Sequence, residues 1–367
     1  MNKNNLEVMN FSQIKLPSFK EKTTTGKPYV SYGDDNKFPY FLQELAKRSS
    51  LHNAILQSKL DYAYDKGLEV VDSNLSSDLF ISHPNPQESL NDIYRKCLSD
   101  YCMFGGFCVN VIWSLDKTNV SELYHIPFET IRCGKKDERG MVDTYYYSSD
   151  WTKYNASFKT IPAFNYNMRE GSQLLYVTRY QSGCYTYPLP SYQGAITDIT
   201  TSCEISNFHL ANISNNMMPS VMITFTNGIP TEEERRMIKS QFEEQYTSTD
   251  NAGKFIVSFV EDADKAPKVD TLSSSDNGEQ YLNLYNTIQT SILAGHQVVS
   301  PYLVGIRSDG VSFGSGTELA NSFKLFYNTV ITNIQSKVVT TLNNVLKLTQ
   351  GWEHAKLEAT EPIINFQ

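Results

Sequence analysis

The chain of 367 residues contains no Lys/Arg-rich run of five or more: 32 Lys and Arg stand against 40 Asp and Glu, giving a net charge of −8. Tight, sequence-independent gripping of phosphates would need a basic footprint, so a protein that handles nucleic acid with this composition is not expected to hold it hard. Six cysteines are present, Cys97, Cys102, Cys108, Cys133, Cys184 and Cys203, with no C-x-x-C pair among them. That spacing argues against a zinc or dithiol framework and predicts reduced, buried thiols. No apolar run approaches the ~18 residues of a membrane span, and the start MNKNNLEVMNF lacks a basic region followed by an apolar one. The expectation is a protein made and used without secretion and without a membrane partner. No G-x-x-x-x-G-K-[ST] sequence supplies a phosphate cradle, so motor work would belong to a partner. The histidines His52, His83, His125, His209, His296 and His354 fall at no metal-ligand spacing, and neither a metal nor a cofactor is expected.

What the chain does contain is a hydrophobic content of 40%, enough for a sizeable core. Residues 1 to about 37 read as an irregular arm rich in turn formers. Leu42, Leu45, Leu51, Ile55 and Leu60 predict a helix over Phe41 to Lys66. Leu90, Ile93, Tyr94, Cys97 and Tyr101 predict a second from about Ser89 to Met103. From Gly105 to about Tyr187 the texture turns to short strands: GFCVNVIWS, SELYHIP, TIRCG, MVDTYYYS and QLLYVTRY. In the first of these, Val109, Val111 and Trp113 alternate with Cys108, Asn110 and Ile112, as a half-buried strand should.

Helical spacing returns from Tyr192 to Met217, where Ile196, Ile199, Cys203, Leu210, Ile213 and Met217 form a narrow seam. Only Asp198 and Glu204 are acidic there, and no basic residue occurs. The stretch NNMMPSVMITFTNG then breaks the helix at Pro219 and alternates as a strand through Val221, Ile223 and Phe225. Thr231 and Glu234 form a capping box that opens a short charged helix with Met237, Ile238 and Phe242 inward. KFIVSFV supplies the next strand, completing a β-α-β unit. A second charge-poor helix runs from about Asp276 to Val298, with Tyr281, Tyr285, Ile288, Ile292 and Val299 as its stripe. After the loop SPYLVGIRSDGVSFGSG, a last helix from Thr317 to about Leu348 would extend roughly 48 Å. Leu319, Phe323, Phe326, Val330, Ile334, Val338, Leu342 and Val345 line it, and GWEHAKLEATEPIINFQ follows as a short tail.

Two patterns could carry chemistry. Gly310-Val-Ser312-Phe-Gly314 is a formal nucleophile elbow, which would make Ser312 and His354 a hydrolase pair. That motif needs a strand entering the first glycine and later strands carrying the acid, and Arg307-Ser-Asp309 with one long helix provides neither. Glu232, Glu233 and Glu234 sit in a first helical turn, where exposed amide dipoles favour negative charge. A solvated cap explains them, with partner docking as the functional alternative.

The succession of elements resembles the portal proteins of tailed bacteriophages. It carries YPLPSYQGAITDI entering the first polar helix, FTNGIPTEEE after it, DNAGKFIVSF, and KVDTLSSSDNGEQYLNLYNTIQTSILAGHQVVSPYLVGI, and it covers roughly residues 30 to 348. The family commonly carries Val-Pro-Pro where this sequence has Val298-Val-Ser-Pro301, and a longer helical crown where about eighteen residues follow here.

The resemblance implies an α+β fold with an α/β wing (1–191 and 319–349), a stem of two helices (192–218 and 273–298) and a small β-α-β clip (219–272). A tunnel loop (299–318) and a short tail or reduced crown (350–367) complete it. It implies a dodecameric ring at one capsid vertex in the virion, assembled in the host bacterial cytoplasm. Double-stranded DNA would pass non-specifically, and terminase large subunit, major capsid and scaffold protein, and the head-tail connector would be partners in packaging and ejection. It is not expected to be an enzyme. Arg307, Ser308, Asp309, Val311, Ser312 and Phe313 would face DNA, and Glu233, Arg236, Lys239 and Glu243 would form the docking surface. Val221, Ile223, Phe225, Phe255 and Val257 would build an intersubunit sheet. Acidic charge and Ser/Thr/Asn-rich helices suit a channel that must not hold its DNA. Another capsid or connector component without DNA passage, and a serine hydrolase using Ser312, are the alternatives to the portal reading.

Overall fold

The computed structural model describes residues 19–71, 83–153, 156–214, 221–225, 231, 233, 236–237, 255–259, 277–306, 316–349, 352 and 356–362. Helices and strands alternate without a single dominant sheet, an α+β arrangement. Two compact units result, one of Met1–Ile199 with Thr290–Gln367, the other of Thr200–Gln289.

In the larger unit the arm expected to be irregular is partly built in. Strand β1 (Glu21–Thr23) pairs antiparallel with β2 (Val30–Tyr32). Tyr32 is stacked on Tyr187 with ring centroids 4.1 Å apart, and its hydroxyl donates to Pro188 O at 2.7 Å. The anchoring comes from residues some 156 positions away, a contact no local pattern announces.

The single helix expected over Phe41 to Lys66 is two helices, α1 (Phe38–Arg48) and α2 (Ser50–Tyr64). Ser49 divides them: its extended backbone leaves the helix while its N–H still donates to Leu45 O, and its side chain accepts from the His52 N–H. A serine hydroxyl competes with backbone partners in this way, which is why serine caps helices more readily than it continues them. Asp65 follows α2, and β3 (Leu68–Val70) comes next. Helix α3 (Leu90–Phe104) starts at a reciprocal capping box between Ser89 and Asp92 and stops at Gly105. That glycine has φ +80, and a Cβ on it would lie 2.6 Å from Leu189 O, so both conformation and space require glycine.

The β-rich region forms two antiparallel three-stranded sheets. In the first, β4 (Gly106–Trp113) lies between β5 (Val120–Ile126) and β9 (Ser172–Thr178). The alternation expected for β4 holds from Val109 onward, where Asn110 and Ile112 are half-buried while Val109, Val111 and Trp113 are buried; Phe107 and Cys108 are both buried. The second sheet orders β6 (Ile131–Cys133), β7 (Thr144–Tyr147) and β8 (Lys159–Pro162). On β6 itself Arg132 is fully buried. Its Nε donates to Asn36 Oδ1 at 2.5 Å, Nη2 to Asn36 O at 2.8 Å, and Nη1 to Glu129 O at 2.9 Å and Ile131 O at 2.8 Å. A guanidinium tolerates burial here because carbonyl oxygens take its protons, with the Trp151 ring 5.1 Å away.

Helices α4 (Ile196–Ser214) and α5 (Asn277–Gly295) each span residues of both units, and the smaller unit also holds β10 (Val221–Phe225) and β11 (Phe255–Phe259). Returning to the larger unit, α6 (Gly316–Phe326) passes through a π-helical segment (Tyr327–Ile331) into α7 (Thr332–Leu346). The stripe expected on this helix is buried from Phe323 to Val345. Phe326, Val330, Ile334, Val338 and Leu342 recur at four-residue steps, which drift ~40° per step in an ideal α-helix. The wider π turn opposes that drift and keeps the stripe on one side. Gln335 locks the place: its Nε2 donates to Ala63 O at 3.1 Å and Thr360 O at 3.3 Å, and its Oε1 accepts from Tyr327 Oη at 3.0 Å.

The residues expected as a short tail are also integrated. Strand β12 (Leu357–Ala359) pairs antiparallel with β3, and Trp352 and Leu357 are buried. The thiols meet expectation, with Cys184 half-buried and the other five buried and free. Burial raises the pKa of Cys97, Cys102, Cys108 and Cys133, which favours inert thiols over thiolates.

Candidate conduit and docking surfaces

The polar helix α4 begins as a core element. Ile196, Ile199 and Cys203 are buried, but Leu210 is 64% exposed, so the seam read from the sequence loses its cover partway along the helix. Ile213 and Met217 lie outside the residues whose side chains are described. At the first turn of α4, Asp198 Oδ2 accepts from Ser291 Oγ at 2.5 Å. A carboxylate there is favoured by the free amides of the helix start. On α5, Ile288 and Ile292 are buried, whereas Tyr285 and, beyond the helix, Val299 are exposed, which shortens the stripe expected for it. The side chain of Tyr281 is not described.

In the smaller unit β10 and β11 pair parallel, in register from Val221↔Phe255 through Ile223↔Val257 to Phe225↔Phe259. Parallel pairing of strands this close in sequence requires a crossover connection, in keeping with the β-α-β reading. No third strand joins them among the described residues. Two strands alone are marginal in water and leave hydrogen-bonding edges open.

Of the residues expected to form a docking surface, Glu233 and Arg236 are helical and exposed, and Lys239 and Glu243 lie outside the described residues. Met237, expected to face inward, is exposed, and nothing among the described residues covers it. Ile238 and Phe242 lie outside them. So do all six residues expected to face DNA, Arg307, Ser308, Asp309, Val311, Ser312 and Phe313, and the hydrolase candidate His354. Among the described residues no group of three or more His, Cys, Asp and Glu is arranged to hold a metal, and no helix is long and apolar enough to cross a membrane.

One polar constellation escaped the sequence reading. His52 Nδ1 and His296 Nε2 are 2.9 Å apart, and His296 Nδ1 is 3.3 Å from Lys59 Nζ. The ammonium can only donate, which makes His296 Nδ1 an acceptor, its Nε2–H a donor, and His52 Nδ1 an acceptor in turn. His52 Nε2 then bears a proton and is buried with no hydrogen-bond partner. Burial lowers the pKa of His52 to about 3 and of Lys59 to about 8, and holds His296 well below its ordinary range. The two histidines are 244 positions apart, so no motif spacing could have revealed them.

The sequence model described as phage portal protein matches residues 51–360. The chain belongs to the phage portal protein family. A protein of Rickettsia bellii (strain RML369-C) described as uncharacterized is 23% identical over 176 residues, covering 47% of this chain and 43% of that protein. The match thus spans less than half of that relative. Among solved structures, the neck of an empty GTA particle computed with C6 symmetry has a TM-score of 0.59 at 13% identity, covering 88% of this chain and 84% of the other. The virion of a native gene transfer agent particle gives 0.55 at 14%, covering 88% and 83%. These likenesses show the α+β fold, while the family match over residues 51–360 carries the structural role of a portal protein.

Proposed function

We propose that the chain is the repeating subunit of a ring-shaped DNA conduit at one vertex of a phage-type capsid, acting in packaging and ejection of the genome. The family match over residues 51–360 carries this reading. In it, residues 1–191 and 319–349 are the wing, 192–218 and 273–298 the stem, 219–272 the clip and 299–318 the tunnel loop. Its polar, charge-poor stem helices present hydroxyl and amide groups instead of cations, so passing DNA is not held by phosphate contacts. A net charge of −8 on each subunit adds repulsion, screened beyond a Debye length of ~10 Å.

Leu210, Tyr285 and Val299, exposed in the single chain, are surfaces for neighbouring subunits in this arrangement. The open edges of β10 and β11 would complete a sheet with the next subunit, and Glu233, Arg236, Lys239 and Glu243 would receive the packaging ATPase and later the connector. Symmetric neck assemblies among the similar structures support a ring. No enzymatic step is part of the proposal.

Electron microscopy and mass measurement of the purified protein test it. The expected result is a ring with a central hole of ~20 Å or more, wide enough for duplex DNA. A compact monomer at every concentration, also failing to assemble with scaffold or capsid protein, would overturn it.

A further inference from the structure

The larger unit contains a cavity of about 270 Å³ whose lining includes Lys59, Arg179, Ser191, Gln297 and Asn333. Two of these side chains are cations, and no carboxylate contributes to the lining, in a chain whose net charge is negative. Lys59 is only 3% exposed. Its one described hydrogen-bond partner is the neutral ring of His296, so an ammonium with three protons has a single protein acceptor. Arg179, Ser191, Gln297 and Asn333 are exposed and provide a polar mouth above this buried base.

A buried charge without a counter-charge costs several kcal/mol, and proteins ordinarily relieve it by pairing or neutralisation. No protein anion relieves Lys59 among the described residues. We propose that this cavity binds a small free oxyanion of the phosphate or carboxylate class, with Lys59 at its base and Arg179 at its mouth. The anion would accept the two unused Lys59 protons and face the guanidinium, while Ser191 and Asn333 supply neutral donors. Gln297, at φ +61, is the left-handed cap that ends α5, where its N–H donates to Ala294 O and the Val298 N–H to Leu293 O. Burial lowers the pKa of Lys59 to about 8; Cys102 opposes that shift and the Arg179 charge adds to it.

The site lies within one unit and does not depend on ring assembly. Calorimetric titration of the full-length protein with inorganic phosphate and, separately, acetate tests it, with sodium chloride at matched ionic strength as the control. Saturable binding of phosphate or acetate is expected, together with a rise in Tm that chloride does not produce. Arg179→Gln, at an exposed position, should fold normally and weaken binding about tenfold or more, equivalent to ~1.4 kcal/mol. Lys59→Met should abolish it. Absence of saturable binding, equal binding by Arg179→Gln, or an adventitious ion only, bound with no effect of either substitution, would overturn the proposal. So would an amine-modification experiment in which Lys59 becomes protected only on subunit assembly and never by phosphate or acetate, since that identifies a neighbour's carboxylate as the partner.

Discussion

The buried pair His52 and His296 makes the larger unit sensitive to mild acid, and the effect can be sized from His52. Its folded pKa, about 3 against an ordinary 6.5, is depressed by burial first and by the Lys59 charge second. The unfolded chain therefore binds the proton that the folded chain refuses, and stability falls as pH drops through 6.5 toward 3. Between pH 7.5 and pH 5 the loss from this residue is about 2 kcal/mol, from the ratio of the two binding polynomials. His296 acts in the same direction, so the whole protein should lose more.

Substituting His52→Gln isolates the effect, because an amide oxygen can still accept from His296 Nε2 but does not titrate. Urea unfolding of both proteins at the two pH values gives four free energies, in which carboxylates that titrate alike in both proteins cancel. The pH-dependent loss should be smaller in the variant by about 2 kcal/mol. Equal losses in the two proteins would refute the assignment of a neutral, proton-refusing histidine at this position.

Arg132→Met replaces a donor-rich group by an apolar one of similar length and leaves Asn36 Oδ1 and the carbonyls of Asn36, Glu129 and Ile131 without it. A loss of about 3–5 kcal/mol is expected in chemical unfolding, with Arg132→Lys intermediate because it keeps the charge but not the planar fork. A loss below ~1 kcal/mol would mean that water replaces the guanidinium without cost. Ile223→Asp, in the proposed intersubunit sheet, should reduce the fraction of subunits in rings by sedimentation while the unfolding midpoint of the larger unit stays unchanged. An equal loss of both would contradict the assignment of these strands to an intersubunit surface.

Periodicity reports one neighbour at a time, and the long helix shows its reach and its limit. The stripe from Phe323 to Val345 was readable because each of its residues meets the same core, and burial follows that pattern. The π segment at Tyr327–Ile331 was not read, although the run of four-residue steps contained its trace. The strand pattern at Val221–Phe225 was legible too, because alternation is local. Its partner at Phe255–Phe259 was legible as the second strand of a β-α-β unit, and only the structure supplied the register of their parallel pairing.

The docking surface was less legible. A charged helix looks the same whether its outer face meets water or a partner, and Met237, read as inward, is exposed. The seam of α4 likewise could not say by itself that Ile196, Ile199 and Cys203 would be covered within the chain while Leu210 would not.

By itself the sequence determined the long helices and most of the central strands, the poverty of cations on the polar helices, the burial of most thiols and, through the succession of elements, the portal family. These follow from nearest-neighbour chemistry: side-chain period, capping groups and charge balance. Only the tertiary structure decided that Ser49 splits one helix into two, that β12 closes on β3, and that His52, Lys59 and His296 share one buried line of hydrogen bonds beside a cationic cavity. The strand pairing and the buried line join residues more than two hundred positions apart, where the deciding terms are burial and the satisfaction of polar groups, and no local pattern carries either.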